Sequence, residues 1–303
     1  MNEKTSQNVL RVSVVIPTLN AGRELGSLLS VLSEQCYPIE EILIVDSASE
    51  DNTAEICKRY EKVHLIQIRQ EDFDHGRTRD LAMRSCRGDI VVFLTQDAIP
   101  ADRSFLEKLI TPLIDPTLAI SVGRQLPRKD AAKAEAFVRD FNYPPASFVR
   151  SKEDIPRLGI KAFFCSDSCA AYRKDIYLKL GGFEYPIKTN EDMFYAAKVL
   201  QSGYQIAYTA EAMVYHSHNF TLRQQYRRNY IQGYEIERHR DLLGGASLDT
   251  EGLKLVRSVS GKLLKEGAVG SFLLFGLDCC ARWLGNKNGK AAYRREARHV
   301  GDK

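Results

Sequence analysis

The sequence predicts an α/β fold: a mostly parallel sheet flanked by helices, followed by a helical C-terminal extension. Short apolar runs alternate with helix-patterned segments over the first 125 residues, and repeated β-α-β units place helices on both faces of a parallel sheet. The composition, 44% hydrophobic and 27% charged, is typical of globular proteins. Because no stretch of about 18 apolar residues is free of charge, we expect no membrane-spanning helix.

The elements of the first half follow from local patterns. Strands are predicted where aliphatic and β-branched residues cluster, at residues 12–16, 42–45, 64–68, 90–94 and 118–122. Helices are predicted between them, at residues 25–32, 53–60, 78–85 and 104–110. Asn52 and Glu55 have the spacing of a capping box, which predicts that Asn52 caps the second helix. In such sheets, ligands bind beyond the carboxyl ends of the strands.

The predicted elements of the second half are less regular. Pro144 and Pro145 end a predicted helix at residues 130–141, and the acidic pair Glu191 and Asp192 precedes a predicted helix at residues 193–200. Asp167 lies inside a predicted strand. The elements are a helix at residues 130–141, a strand at 163–172, a helix at 193–200, strands at 206–208 and 213–216, and helices from residue 221 onward.

Charge divides the chain into two regions. Residues 219–303 contain 16 lysines and arginines against 9 acidic residues, whereas residues 1–218 contain 27 against 30. We therefore predict a domain at 1–218 and a basic helical extension at 219–303 that contacts the acceptor, a membrane surface or a second subunit. Within the extension, residues 267–284 are largely apolar, and Asp278 and Arg282 are spaced to pair. Packing on the body, in a homodimer or at the membrane interface is compatible with this helix.

Several functional classes lack their motifs in this sequence. No GxGxxG follows the first strand, and GxxxxGK[ST], GxSxG and HExxH are absent, which argues against dehydrogenases, P-loop NTPases, α/β-hydrolases and zinc proteases. The seven cysteines include no CxxC pair, and the first ten residues show no secretory signal, so we expect a reducing, cytoplasmic compartment. We expect no nucleic-acid partner.

Polar motifs stand where the predicted strands end. They are PTLNAG at residues 17–22, DSAS at 46–49, TQDA at 95–98 and YHSH at 215–218, with the acidic pair at 191–192 before the last. In this order, over residues 12–220, they resemble a family-2 glycosyltransferase with the GT-A fold, which binds nucleotide-diphospho-sugars. The runs FDHGRTRD (73–80) and FLTQDAIP (93–100) resemble bacterial rhamnosyltransferases of surface-polysaccharide synthesis.

The resemblance implies a donor-binding set at the ends of the first strands. Asp46 follows an apolar strand, where its carboxylate can accept a hydrogen bond from a pyrimidine imide N–H; a turn or helix-capping role is the alternative. Thr18 and Asn20 would line the same pocket. For Arg79 a surface salt bridge is the alternative. The full donor-binding set implied is Pro17, Thr18, Asn20, Asp46, Arg79, Thr95 and Gln96.

Asp97 is the candidate metal ligand. A nucleoside diphosphate leaves more readily when Mg²⁺ or Mn²⁺ neutralises its charge. The family's Asp-x-Asp motif is here Thr95-Gln96-Asp97, so the first carboxylate is absent and the second, metal-binding position is retained. His216 and His218 alternate at a strand end and share one face. The resemblance places His216 in the metal shell, with a buried core histidine as the alternative.

Asp192 is the candidate catalytic base that the resemblance implies. Transfer to a sugar hydroxyl needs a group that accepts the hydroxyl proton, and a carboxylate at a helix N-terminus stays ionised. First-turn acids without a catalytic role are the alternative. Glu191, Asp167 and His218 form a second tier that would face the sugar or the acceptor.

The predicted function is transfer, with inversion, of L-rhamnose from dTDP-L-rhamnose to a hydroxyl of a growing cell-surface polysaccharide or lipid-linked glycan. We expect an acceptor on polyprenyl diphosphate and an enzyme that is cytoplasmic or peripheral at the inner membrane face. A family-2 transferase using a UDP-hexose is one alternative, and an inactive scaffold in a polysaccharide assembly complex is another. The intact set Asp46, Asp97 and Asp192 argues against the scaffold.

Overall fold

The computed structural model describes residues 10–244, 246 and 250–301. Residues 1–9, which were expected to carry no secretory signal, and residues 302–303 of the predicted extension lie outside this part of the chain. The strands are β1 (Val12–Thr18), β2 (Ile39–Asp46), β3 (Val63–Gln67), β4 (Ile90–Leu94), β5 (Ile99–Pro100), β6 (Leu118–Leu126), β7 (Phe148–Arg150), β8 (Cys169–Arg173) and β9 (Gln205–Tyr215).

The helices alternate with these strands and then continue alone. They are α1 (Leu25–Ser33), α2 (Thr53–Cys57), α3 (His75–Ser85), α4 (Phe105–Ile110), α5 (Lys133–Asn142), α6 (Ile155–Leu158), α7 (Lys174–Lys179), α8 (Glu191–Gln201), α9 (Leu222–Arg238), α10 (Thr250–Lys265) and α11 (Val269–Gly301). Short 3-10 helices lie at Gln70–Asp72, Thr111–Ile114, Lys152–Asp154, Gly159–Phe163 and Arg240–Leu243. Within the described residues, every helix is too short or too polar to cross a bilayer.

The strands pair in the order β3-β2-β1-β4-β8-β6-β9-β5, and β7 also pairs with β9. The segment β3-β2-β1-β4 is parallel, as the repeated β-α-β units predict. β8 runs antiparallel to both β4 and β6, β6 is parallel to β9, and β5 and β7 are antiparallel to β9. The predicted α/β architecture is confirmed, with a mixed second half.

Both faces of the sheet are buried. Successive residues of a strand point to opposite faces, and in β1 Val15 packs in a core with α3 and α8, whereas Val14 and Ile16 pack in a core with α1 and α4. Every residue of β4 is buried. Because β1, β2 and β4 are parallel, the polar residues that follow them lie at one edge of the sheet.

Two local predictions near loops are wrong. Asn52 precedes α2 but makes no side-chain capping hydrogen bond, because its backbone, at φ −78° and ψ 17°, lacks the extended conformation of a capping residue. The strand predicted at residues 163–172 begins only at β8, so Asp167 lies in the loop before it. The chain just before β8 is held in a turn, because the Arg150 guanidinium donates hydrogen bonds to the carbonyl oxygens of Lys161, Ala162 and Phe164.

The two short strands predicted at residues 206–208 and 213–216 are one strand, β9. The polar residues that interrupt the apolar run fit the strand. Glu211 faces solvent between two buried alanines, and the Thr209 hydroxyl lies 3.0 Å from that of Ser121 on β6. The polar residues within β9 are therefore the reason why the sequence predicted two strands there.

The helices of the extension pack on the body and on each other. Val138 of α5, Val259 and Leu263 of α10 and Phe275 of α11 form one buried cluster. Helix α11 also runs against α9 at backbone distance: a Cβ atom on Gly289 would lie 1.9 Å from the carbonyl oxygen of Tyr230. The predicted pair within α11 is present, with Nε of Arg282 lying 2.6 Å from Oδ2 of Asp278.

Candidate active site

A cleft of about 790 Å³ lies beyond the carboxyl ends of β4 and β9 and is bordered by α3, α8 and α9. It brings together predicted site residues that are far apart in the sequence. The residues that line it and belong to the predicted set are Arg79, Thr95, Asp97, Asp167, Glu191, Asp192, His216 and His218.

One end of the cleft holds a carboxylate between two imidazoles. Asp97 lies in the loop after β4, and the histidines follow β9. Nε2 of His216 lies 3.5 Å from Oδ1 of Asp97, and Nε2 of His218 lies 3.5 Å from Oδ2. Burial alone would raise the pKa of Asp97, but His216 and then His218 lower it below its usual range. The carboxylate is therefore ionised at neutral pH.

Gln125 of β6 fixes the tautomer of His216. Nδ1 of His216 lies 2.8 Å from Oε1 of Gln125. Arg139 donates to the same oxygen, while the Gln125 amide nitrogen donates to Ser166. Because an amide oxygen can only accept, Nδ1 carries a proton, so in the neutral imidazole the lone pair lies on Nε2, on the side of Asp97. Metal-binding histidines have this hydrogen-bonding pattern.

The three side chains fit a divalent cation. One ligand atom from each of Asp97, His216 and His218 lies within 4.8 Å of the others, and the fixed tautomer leaves a nitrogen lone pair available. One carboxylate and two imidazoles leave positions for phosphate oxygens. Mg²⁺ is bound almost entirely through oxygen, so a set with two nitrogens favours Mn²⁺ of the two predicted ions.

A second part of the cleft lining is a cluster of acids around Arg79. Nε of Arg79 lies 3.0 Å from Oδ2 of Asp167, and Nη1 lies 3.2 Å from Oε1 of Glu191. Tyr172 donates to Oδ1 of Asp167 at 2.5 Å. Arg79 is therefore buried, so the alternative of a surface salt bridge is wrong. Its ion pairs are with the predicted acceptor-side acids, not with the predicted nucleotide pocket.

Asp192 completes this cluster at the first turn of α8. Asn190, in the left-handed conformation with φ 67°, turns the chain into the helix. Oδ2 of Asp192 accepts the backbone N–H of Asp167 at 3.2 Å. Burial, Glu191 and Asp167 together raise the pKa of Asp192 well above its usual range. The helix dipole, which was expected to favour the ionised form of this carboxylate, is opposed here by burial and like charges, which favour the protonated form.

Asp167 is perturbed in the same direction. Burial, opposed by the charge of Arg79 and assisted by that of Glu191, raises the pKa of Asp167 to about 7. The guanidinium of Arg79 thus contacts two buried carboxylates, and a third, that of the half-buried Asp192, lies beside them. The cluster has a high proton affinity at a position that borders the cleft, which suits a group that accepts a proton.

The predicted nucleotide residues form a separate hydrogen-bonded turn. Asp46 is fully buried and accepts from the hydroxyls of Thr18 at 2.9 Å and Ser49 at 2.5 Å. Asn20, with φ 50°, accepts the N–H of Glu50. These contacts agree with the alternative turn role of Asp46. Among the described residues, the cleft lining does not include Pro17, Thr18, Asn20, Asp46 or Gln96.

Gln96 is the middle residue of the triplet Thr95-Gln96-Asp97, in which Thr95 stands where the family has its first acid. Its amide donates to and accepts from the backbone of Leu19, at 3.3 Å and 2.9 Å. The loops after β1 and β4 are therefore joined by both ends of one neutral amide. A carboxylate in its place could not donate to the Leu19 carbonyl oxygen.

Sequence reasoning missed two residues of the cleft. His75, within the FDHGRTRD run, accepts at Nδ1 from Nη1 of Arg79 at 3.2 Å. Arg228 of α9 stacks over Phe220 at 5.2 Å and, among the described residues, has no ion-pair partner. Partial desolvation in the cleft and the charges of Arg139 and Arg282 lower the pKa of Arg228, although its side chain is exposed. The charge of residues 219–303 predicted cations in this region, but only the fold shows that Arg227 and Arg228 are among those that line the cleft.

The model of glycosyl transferase family 2 matches residues 13–181. This chain belongs to glycosyl transferase family 2. The family 2 enzyme is 38% identical over 288 residues to the O-antigen chain rhamnosyltransferase RfbN of Salmonella typhimurium, covering 93% of this chain and 90% of that protein. It is 39% identical over 286 residues to the O-antigen chain rhamnosyltransferase WbaN of Salmonella anatum, covering 92% and 89%.

Solved structures share the fold of this family 2 glycosyltransferase. The mannosyltransferase PcManGT of Pyrobaculum calidifontis, in complex with GDP-Man and Mn²⁺, has a TM-score of 0.63 at 19% identity, with 95% of this chain and 86% of that chain covered. TarS of S. aureus (residues 1–349) with UDP has a TM-score of 0.57 at 17% identity, with 95% and 92% covered. The GT-A-like architecture that the motifs imply is confirmed.

Proposed function

We propose that this glycosyltransferase transfers L-rhamnose from dTDP-L-rhamnose to a hydroxyl of a growing surface polysaccharide. The observation that carries the proposal is the identity of 38% and 39%, over more than nine-tenths of the chain, to two O-antigen chain rhamnosyltransferases. The cleft supports it by joining a high-affinity proton acceptor and a candidate cation site in one space. We further propose that the acceptor glycan is carried on polyprenyl diphosphate.

Asp192 is the proposed base. As the acceptor oxygen attacks the anomeric carbon, its proton passes to the Asp192 carboxylate, the bond to the nucleoside diphosphate breaks, and the configuration inverts. Arg79, Asp167 and Glu191 fix the position of Asp192 and set its proton affinity through the contacts described above. A raised pKa makes the carboxylate a stronger base at the cleft wall.

The diphosphate is proposed to lie at the opposite end of the cleft. Asp97, His216 and His218 would hold Mn²⁺ or Mg²⁺ there, and the ion would supply charge neutralisation to the leaving diphosphate. Gln125 keeps His216 in the tautomer that can bind. Arg228 supplies a positive charge to the same end of the site. The nucleoside is proposed to contact the exposed Asn20, next to the buried turn that Thr18 and Asp46 form.

The experiment that tests the proposal is a comparison of donors. Thermal unfolding of the full chain with Mn²⁺ is followed with dTDP-L-rhamnose, a UDP-hexose and GDP-mannose, because a bound donor raises the unfolding temperature. We expect dTDP-L-rhamnose to raise it most and to be hydrolysed slowly. A larger effect of the UDP-hexose would identify that sugar class as the donor. No effect of any donor and no hydrolysis would favour the scaffold alternative.

Metal dependence is tested in the same assay. Excess EDTA should abolish donor hydrolysis, and Mn²⁺ should restore it better than Mg²⁺. Asp97→Asn should weaken both donor binding and turnover, whereas Asp130→Asn, at a carboxylate whose side chain is 79% exposed, should change neither. Full turnover in excess EDTA would exclude the metal and leave Arg228 as the counter-charge.

A further inference from the structure

One side of α11 is exposed and apolar over its first half. Leu273, Leu277 and Leu284 are 62%, 53% and 44% exposed, and their spacing of four and seven residues places them on one face of the helix. Val269 precedes them on the same face and is 57% exposed. The opposite side of the helix packs against the body through Phe275. The apolar side has no packing partner among the described residues.

The same face continues as a basic surface in the second half of α11. Lys287, Arg295 and Arg298 are exposed and follow Leu284 at helical spacing. The acids of α11 point elsewhere: Asp278 is paired with Arg282, and Glu296 accepts from the Tyr234 hydroxyl of α9. We call this surface, from Val269 to Arg298, the outer face of α11.

Aromatic and aliphatic side chains widen the apolar part of this surface. Trp283 and Leu274 are 61% and 64% exposed, and Nζ of Lys287 lies 4.9 Å from the centroid of the Trp283 ring. On α10, Leu264 is 53% exposed and is flanked by the exposed Lys265. Such a combination of exposed leucines, one tryptophan and peripheral cations is typical of helices that lie in a bilayer interface.

We propose that the outer face of α11 docks on an anionic bilayer surface. The apolar half would insert between the headgroups, and Lys287, Arg295 and Arg298 would contact anionic lipid, each cation adding to the attraction. The net charge of the extension is complementary to such a surface. A second copy of this chain fits less well, because a two-fold pairing would set the cations against each other in a parallel pair, or against the apolar half of the other copy in an antiparallel pair.

Helix α9 lies between the proposed docking surface and the cleft. Helix α9 contacts α11 on one side and lines the cleft with Arg227 and Arg228 on another. A bilayer on the outer face of α11 would therefore lie one helix away from the cleft wall. This inference rests on exposure and charge alone and does not depend on the identity of the sugar donor.

The test is flotation of the full chain with lipid vesicles. Vesicles of phosphatidylcholine alone and of phosphatidylcholine with phosphatidylglycerol are compared at about 0.1 M and about 1 M salt, where the Debye length falls from about 10 Å to about 3 Å. The variants are Leu273→Glu/Leu277→Glu and Lys287→Glu/Arg298→Glu. The control is Ile114→Glu, at an apolar side chain outside α11 that is 69% exposed.

We expect the wild type and Ile114→Glu to float with the anionic vesicles at low salt and to be released at high salt. Each double variant should bind at least about tenfold more weakly, with unchanged circular dichroism and donor hydrolysis. Equal recovery with neutral vesicles, or wild-type binding by either double variant, would overturn the proposal. A dimer in lipid-free solution that Leu273→Glu/Leu277→Glu dissociates would assign the face to a second copy instead.

Discussion

The Nε atom of Arg79 lies 3.0 Å from Oδ2 of Asp167, and the two side chains are only 7% and 3% exposed. The same guanidinium reaches Glu191, and Asp192 lies beside both acids. A buried ion pair is a weak source of stability, because desolvation offsets the attraction, but removing one partner is costly. The cluster therefore combines high proton affinity with strong dependence on one arginine.

Replacing Arg79 with leucine should lower the free energy of unfolding by about 3–5 kcal/mol, because the buried carboxylates of Asp167 and Glu191 lose their cation. Urea denaturation followed by circular dichroism measures the change. Arg69→Leu is the control, since Arg69 pairs with Asp72 where both side chains are well exposed, and its midpoint should not move. Equal midpoints for the two variants would show that Arg79 does not stabilise the cluster.

Asp192→Asn should reduce turnover by about 10²–10⁴, the usual loss when a general base is removed. Donor affinity, measured by calorimetry, should stay close to that of the wild type, because the donor contacts proposed here lie at other residues. Asp97→Asn should instead weaken donor affinity as well as turnover. If Asp192→Asn keeps more than about a tenth of wild-type turnover, the base is another residue, with Glu191 and Asp167 as the candidates.

The pH dependence of kcat/KM should reveal the raised pKa of Asp192. A carboxyl group with a raised pKa keeps its proton to higher pH and cannot act as a base until that proton leaves. The acidic limb should therefore lie well above the usual aspartate pKa of about 4. Asp167→Asn removes a neighbouring negative charge and leaves Arg79 less neutralised, so it should move the limb to lower pH.

Asp130→Asn serves as the control for that shift, since its carboxylate is exposed and outside the cluster. A wild-type limb near pH 4, or a limb that Asp167→Asn moves upward, would contradict the assignment of the base. The raised pKa of Asp167 should also make the stability of the folded protein depend on pH. The pKa of Asp167 is higher in the folded protein than in the unfolded chain, so the folded protein binds this proton more tightly. The free energy of unfolding should therefore fall as pH rises from about 4 to 7.

Arg228→Gln should weaken donor binding by roughly ten- to a hundredfold, because hydrogen bonds to a charged group contribute about 1.5–3 kcal/mol. Turnover at saturating donor should change less. Arg223→Gln is the matched control, as Arg223 is exposed on the same helix. Titration calorimetry with dTDP-L-rhamnose and with dTDP separates the sugar from the diphosphate. Equal loss in both variants would indicate a general effect of charge.

Strands β1, β2 and β4 of the parallel half could be predicted because each is a largely buried run. Residues 90–94 are apolar throughout and became β4, buried at every position. The acidic pair at the start of α8 was also predictable from local sequence. Strand β9 was not, since the exposed Glu211 interrupts its apolar pattern at the point where the pairing with β6 shifts register, from Thr209 opposite Gly123 to Met213 opposite Arg124.

For the candidate site, the sequence predicted individual residues but not the contacts between them. Asp97, His216 and His218 stand next to strand ends, so their convergence followed from the topology. The partner of His216 is Gln125, 91 residues away, and no local pattern links the two. The contacts of Arg79 likewise depend on how α3 packs against α8. Sequence identified residue types at the sheet edge, whereas tertiary packing determined their charge states.

Helices α9 and α11 touch through glycines, and this contact limits how the enzyme can diverge. A Cβ atom on Gly285 would lie 2.4 Å from the carbonyl oxygen of Tyr226, and one on Gly233 would lie 2.3 Å from that of Asn286. Any larger residue at these positions would move α9, and with it the wall of the cleft that carries Arg228. New acceptor preferences that need a shifted α9 therefore require compensating changes in a helix that contacts no substrate.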